Sequence, residues 1–560
     1  MCEHAKEIGI LERCTPLTNS GLNSRLFKAK YLFANLLDFK KLSSWELDLA
    51  QLESLLKHIL KLDPASGLTP AGYTYLGQLL THEIVPDNNF ERAKNSRRGY
   101  AATPFLNLDS IYFRDETLSK EPDLMAGGYF IIREIANTKC FDLDRECDGE
   151  ARIPEPRNDD NVIVAQLLVK VMEFHNAIMD TLSEGTTVQR YKACKAFVTL
   201  VLQRIFVEDY MQKILHPRVY ESYFIQGRKA FYCNADKRKF NIPLEYSNAA
   251  FRFGHSMVRP SYVLNKDEAG KKRVFNLDQI LNSGKKIGID KKIDWNMFFP
   301  LGMFDSQSAI KINVNLTSTF VDPQKDRFDL LGEGLGYKRS KSEFSAKALI
   351  AYQDVFRSIA FSDLIASQSV PSPKDIVDSL NDAGDHPIGE IYDALNLPNK
   401  GKHFLELMDF DKDFKAKVKI SPKFNIGNSP LWLFFLREAE VFPLTESTRV
   451  AQSKAASNDL NQPSRSSTAQ DCTLSSEDDS VVIKIEQPAS DQQRLGPIAS
   501  IVIAETIKTS IAGSSVNIYK PWGEIKRELG IELSDFYAEL LSEEKFLTFE
   551  YLIKFVTAKH

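Results

Sequence analysis

"NVIVAQLLVKVMEFHNAIMDTL", residues 161–182, repeats apolar side chains at three- and four-residue spacing for about six helical turns. That period belongs to a long helix buried on at least one face. "YKACKAFVTLVLQRIFVEDYMQKIL" (191–215) continues the pattern and is nearly apolar all round near its middle, which predicts a buried helix. "SAKALIAYQDVFRSIAFSDLIA" (345–366) is a third long helical candidate. Strand-like alternation is scarce, and "IKINVNL" (310–316) is its best short example. The expected fold class is mainly α, with long connections.

Composition agrees with a large core. The 560 residues are 43% hydrophobic and 26% charged, and no obvious linker interrupts the first 440. The reading is one large unit with appendages: an N-terminal helical extension over 1–67, the main domain over 68–451, and closing helices with a helical tail over 494–560. Residues 452–493 are rich in Ser, Asp, Gln and Asn and hold no aromatic residue, the composition of a disordered insertion. A formal net charge of -4 leaves no basic footprint for nucleic acid. The start "MCEHAKEIGILERC" has no apolar core of a signal peptide, and "LWLFF" (431–435) and "SIVIA" (500–504) are too short to cross a bilayer. A reducing compartment such as the cytoplasm is expected, with export lacking a signal peptide as the alternative. Seven cysteines make an odd count. Cys140 and Cys147 are close enough in sequence to pair, and the absence of Cys-x-x-Cys argues against structural zinc.

Nine histidines occur. In "YTYLGQLLTHEIVPD" (73–87), Tyr75, Leu76, Leu79 and Leu80 form an apolar stripe with His82 just behind it. His82 reads equally as a core residue, a metal ligand or a proton carrier; a His-Glu-x-x-His zinc motif fails because Pro86 holds the last place. His175, in "MEFHNAIMD", reads as a hydrogen-bonded core residue. His255, in "NAAFRFGHSMVRPSY" (248–262), sits on an apolar helical stretch between Arg252 and Arg259, and Gly254 beside it would let a large flat group approach the backbone.

Six segments, taken in order, resemble the animal-type haem peroxidase superfamily, in pattern nearest its bacterial and fungal members. "GQLLTHEI" (77–84) is similar to the distal helix and "TPFLNLDSIY" (103–112) to the calcium-loop strand. "ARIPEPRNDDNVIVAQLLVKVMEFHNAIMD" (151–180) is similar to the distal-arginine segment and its following helix. "AAFRFGHSMVRP" (249–260) resembles the proximal-histidine helix, and "SPLWLFFLREAE" (429–440) and "RLGPIASIVIAE" (494–505) resemble closing helices. The resemblance implies a helical fold around a central haem, with little β structure. It gives His82 the role of distal base, Arg157 that of charge stabiliser, and Gln78 that of ordering distal water or an anion. His255 would ligate the iron. Arg252 and Arg357 would meet the haem propionates, and Asp354 would accept the second ring N–H of the proximal histidine.

The departures from the pattern carry information too. Thr81 stands where one haem ester needs a carboxylate, Asp160 is one methylene short for the second, and Asn161 replaces the methionine of a sulfonium link. Non-covalent haem b is therefore expected. The calcium ligands would fall at Glu83, Thr103, the Phe105 carbonyl, Asn107 and Asp109, hard oxygen donors that leave Ca²⁺ an open expectation. Arg252 occupies the place of the radical tyrosine of the superfamily's dioxygenases. The resemblance implies a peroxidase taking H2O2 and a small organic donor or halide. A non-catalytic haem-binding pseudo-peroxidase and, behind it, a fatty-acid dioxygenase are the alternatives; oligomeric state is open.

Overall fold

A computed structural model describes residues 66–85, 103–112, 125–228, 230, 240–247, 249–280, 285–302, 306–314, 372–381, 405–406, 408–429, 431–441, 494–520, 524, 527 and 547–559. The helical candidate at 345–366, the insertion at 452–493 and nearly all of the 1–67 extension lie outside the described residues, as do Asp354 and Arg357.

Strand β1 (Ser66–Pro70) leads directly into helix α1 (Gly72–Ile84). The opening sequence stretch forms α2 (Val162–Thr181), whose Asn161 side chain accepts from the amides of Ile163 and Val164 and so caps the helix start. Helix α3 (Thr187–Arg204) opens with a reciprocal Thr186–Gln189 capping box. Helices α4 (Leu431–Val441), α5 (Pro497–Gly513) and α6 (Phe549–Lys559) complete the set that matters for the site. Among the described residues, β structure amounts to four two-stranded antiparallel sheets and an isolated Arg145–Ala151 bridge, so the fold is mainly α. In one of them β1 pairs with Ser308–Ile310. Of the alternating run at 310–316, the described residues 310–314 contribute only Ile310 to a strand. The chain bends after it, and Ile312 and Val314 are buried without ladder pairing, so the alternation marked burial rather than a strand.

Helix α2 is the core. It is long and apolar enough to cross a membrane, but 89% of its most apolar window is buried by the surrounding elements, which is how a central helix of a globular fold reads. Beyond α3 the chain widens into a π-helical stretch, Ile205–Met211, before a last turn at Gln212–Ile214. This stretch buries Glu208 and Asp209. Arg204 pairs with Glu208, while Asp209 accepts from the Tyr73 hydroxyl at 2.8 Å, Lys213 at 2.7 Å and the Phe549 amide at 3.0 Å. The buried charges are therefore matched by donors, and they tether α6 to α1 and to the π turn. The same stretch sets Tyr210 against α1: a Cβ on Gly77 would come 2.0 Å from its hydroxyl oxygen, so only glycine permits this approach.

At the other end, Glu438 on α4 accepts from the amides of Ile498 (2.9 Å) and Ala499 (3.1 Å), capping α5 from a neighbouring helix. Burial pushes this carboxyl up to about 8. Cys140 and Cys147 are not bonded to each other; both are free.

Candidate active site

His82 lies in the last turn of α1 and is buried. Its Nδ1 is 2.9 Å from Asn158 Oδ1. The amide of Asn158 is oriented by a second contact, its Nδ2 donating to the Ser110 carbonyl at 3.3 Å. The oxygen of that amide therefore faces His82 and can only accept, which puts the ring proton on Nδ1 and leaves Nε2 the basic nitrogen. Asn158 sits in a short 3-10 turn, Pro156–Asp159, capped by the Glu155 side chain and started by Pro156.

Arg157 is in the same turn and is also buried, but its guanidinium is committed elsewhere than expected. Nε and Nη2 donate to the two carboxylate oxygens of Glu155, each at 2.9 Å. Nη2 also reaches the carbonyls of His82 (3.2 Å) and Val85 (2.8 Å). Those carbonyls belong to the end of α1, where a cation is favoured by the helix dipole and backbone acceptors need partners. Arg157, expected as the stabiliser of developing negative charge, thus caps the C-terminal end of the distal helix and pairs with Glu155. The resemblance fixed its place in the chain; the acid two residues earlier fixed where its side chain goes.

Gln78, half-buried one turn before His82, accepts from Asn161 Nδ2 at 3.0 Å, so the helix-capping asparagine also steadies the distal glutamine. Thr81 donates its hydroxyl to the Gly77 carbonyl at 2.8 Å, a bond within the helix. Asp160 is half-buried and caps the end of the 3-10 turn through its backbone.

The expected calcium ligands gather in part. The segment 103–112 is a succession of turns and bends, not the strand its resemblance suggested. Leu108 adopts a left-handed φ of 63°, and the consecutive amides of Asp109 and Ser110 meet the carboxylate of Glu83, each at 2.8 Å. The Thr103 hydroxyl bonds Asp109 Oδ2 at 2.8 Å and the Phe105 carbonyl at 3.3 Å. Burial first, and then the neighbouring Asp109, raise the Glu83 carboxyl to about 7. Two crowded acids beside a hydroxyl and a carbonyl are a donor set of the chemistry Ca²⁺ takes. Asn107 is the exception. Its Oδ1 accepts from the Ser514 hydroxyl (2.8 Å) and the Ser515 amide (3.0 Å), anchoring the chain after α5. Among the described residues, no three His, Cys, Asp or Glu side chains form a metal cluster.

His255 occurs in a 3-10 helix, Ala250–Met257, rather than an α-helix. Its 3-residue period aligns Arg252 with His255 along one edge. Arg252 is buried and donates Nε to the Ser247 carbonyl at 2.8 Å, so part of the guanidinium expected at a propionate serves the preceding turn. Phe251, Phe253 and Met257 face the core, whereas Gly254 and His255 are half-buried. An added Cβ at Gly254 would meet no atom within 4 Å, so open space borders the backbone beside His255. A half-buried imidazole next in the chain to a glycine bordered by open space has room to meet a flat prosthetic group.

Asn158 and Glu155 were not singled out in the sequence, and Asn161 was noted only as the replacement of a methionine, not as a helix cap. "EPRND" does carry a signal, an acid before a proline at the first helical position, which marks a turn start; it does not say that the turn will orient a histidine.

The family model of the animal haem peroxidases matches residues 87–332. Fatty acid alpha-dioxygenase from Oryza sativa aligns with 92% of this chain and 82% of its own, at 11% identity and a TM-score of 0.52. A variant of that enzyme with palmitic acid aligns with 89% of this chain and 77% of its own, at 12% identity and 0.51. Peroxidase A from Dictyostelium discoideum aligns with 91% of this chain and 90% of its own, at 10% identity and 0.49. No curated protein sequence matches. At these identities the likeness to the two dioxygenase structures is one of fold.

Proposed function

We propose, for a chain with the animal haem peroxidase-like fold and that family's match over residues 87–332, that it binds haem b without a covalent link and reduces H2O2 while oxidising a small organic donor or a halide. The observation that carries this reading is the fixed tautomer of His82, held by an asparagine whose own amide is fixed by Ser110. When bound, haem supplies the electron chemistry of peroxide reduction. His82 Nε2 takes the proton of the incoming peroxide and returns it to the departing oxygen. Asn158 keeps the proton of Nδ1 in place, so that only Nε2 exchanges. Arg157 with Glu155 holds the end of α1, and with it the position of the His82 backbone. His255 is the proposed iron ligand. The absence of a covalent link is supported by Thr81, which has no carboxylate and spends its hydroxyl inside the helix.

The experiment is direct. The full-length protein loaded with haem is mixed with H2O2, and phenolic and halide donors are compared. A change in the Soret band followed by donor oxidation is expected. Haem binding without either response would establish the second reading, a non-catalytic haem protein, which the neutralising Glu155–Arg157 pair favours. Fatty acid oxygenation, the activity in the name of the aligned dioxygenase, meets Arg252 where the resemblance calls for a tyrosine; oxygen uptake with palmitate would restore it.

Calcium is proposed as a structural ion bridging α1 and the 103–112 segment through Glu83, Asp109, Thr103 and the Phe105 carbonyl. Excess Ca²⁺ over a chelator-treated sample should raise the unfolding midpoint by several degrees, as a ligand at about 100 times its Kd adds roughly 2.7 kcal/mol. An unchanged midpoint would leave the Glu83 carboxylate as a backbone anchor only.

A further inference from the structure

Tyr112, His175 and Cys194 form a reactive cluster that the proposed reaction does not use, and all three are fully buried. They come from the end of the 103–112 segment, from α2 and from α3. His175 Nε2 lies 2.9 Å from the Gly128 carbonyl, which can only accept, so the ring proton is on Nε2 and Nδ1 keeps its lone pair. The Tyr112 hydroxyl lies 2.9 Å from that Nδ1 and donates to it. Cys194 Sγ is 3.2 Å from the same nitrogen and 3.3 Å from the His175 carbonyl. One lone pair accommodates one strong donor, so the hydroxyl takes Nδ1 and the weaker thiol donor turns to the carbonyl.

The surroundings tie any oxidation of the phenol to the loss of its proton. Phe130 and Tyr191 pack around Tyr112 at ring distances of 5.2 and 6.3 Å. The Lys195 ammonium stands over its ring at 5.3 Å, so a cationic ring would be repelled and the ring can lose an electron only as its proton leaves. Burial keeps the phenol neutral and holds the His175 imidazole down at about 4, neutral as well, so the pair starts as a neutral acid beside a neutral base. The cluster also adjoins the distal side along the chain. Tyr112 is two residues from Ser110, whose amide bonds Glu83 and whose carbonyl bonds Asn158, the partner of His82.

We propose that Tyr112 is an internal one-electron donor to the haem pocket and that His175 is its built-in proton acceptor, a claim resting on the peroxidase reading above. One electron leaves the Tyr112 ring for the peroxide-oxidised haem. The phenolic O–H bond breaks and its proton forms an N–H bond at His175 Nδ1; burial disfavours the resulting imidazolium, and the bond from Nε2–H to the Gly128 carbonyl offsets part of that cost, so the proton is held only while the ring lacks its electron. The external donor later returns the electron, and the proton moves back the same distance. Only the electron crosses the core, because the proton travels along one existing hydrogen bond.

The test uses full-length haem-loaded protein, mixed with H2O2 and rapidly frozen for EPR, with the Soret band followed in parallel. A tyrosyl signal is expected that falls at least about tenfold in Tyr112→Phe while the Soret response stays, and His175→Gln should slow its appearance by about the same factor. A normal Soret response with a radical signal untouched by Tyr112→Phe overturns the inference and leaves the peroxidase reading standing. A wild-type protein without a Soret response overturns both. Should the phenylalanine variant not fold, 3-fluorotyrosine placed at position 112 changes the hyperfine pattern if that ring carries the radical; an unchanged pattern overturns the assignment.

Discussion

His82→Ala is expected to lower the rate of reaction with H2O2 by roughly 10²–10⁴-fold, the usual contribution of a positioned general base, while haem content and the resting Soret band stay as in the wild type. Alanine removes the nitrogen that would accept the peroxide proton and leaves the iron side of the pocket untouched. The loss should be partial in Asn158→Ala, by about 10–100-fold, the scale of removing a partner that only orients a ligand or base. The two variants separate base from positioning residue. Asn158→Ala frees the ring to exchange tautomers, so a fraction of the molecules keeps Nε2 basic and the loss is partial, whereas His82→Ala leaves no base and should be slow at every pH. Stopped-flow absorbance at the Soret band gives both rates. Equal rates in wild type and His82→Ala would sink the base assignment outright.

How much of this was legible beforehand depends on what decides each feature. The period of 161–182 announced α2 because burial of one helix is written locally in its own apolar spacing. His82 could be placed by its segment, but its tautomer could not, since the deciding atoms are Asn158 Oδ1 and the Ser110 carbonyl, far apart in the chain. Arg157 and Asn107 show the other limit. Resemblance assigns a residue to a position, while the direction of a long or amide side chain is settled by whichever partner lies nearest. For Arg157 that partner is Glu155, and for Asn107 it is the Ser514–Ser515 turn. The helical reading of 249–260 missed a tighter 3-10 turn, for which a stretch as short as Ala250–Met257 holds little periodic information. The fold itself survived these local misses, because the six segments and their order do not depend on side-chain direction.

His255→Ala is expected to cost the protein its haem. The residue is half-buried at the edge of a 3-10 turn, and the neighbouring Gly254 faces open space. Removing an imidazole there leaves little to repack, so the unfolding midpoint of the haem-free variant should match the haem-free wild type closely. The loss should therefore appear in retention of the group and not in folding. Haem per protein, measured by the pyridine haemochrome spectrum after gel filtration, should fall by at least about tenfold, which corresponds to only about 1.4 kcal/mol of lost affinity and is modest for an axial ligand. Added imidazole should restore part of it, since the space vacated beside Gly254 admits the free ring. The companion variant Arg252→Lys bears on a different point: because the Arg252 Nε is bound to the Ser247 carbonyl, a propionate contact can use only the remaining guanidinium nitrogens, and lysine cannot serve both partners at once. A His255→Ala protein that retains a full complement of haem would refute the proximal assignment, and the iron ligand would then have to be sought on another element lining the space beside Gly254.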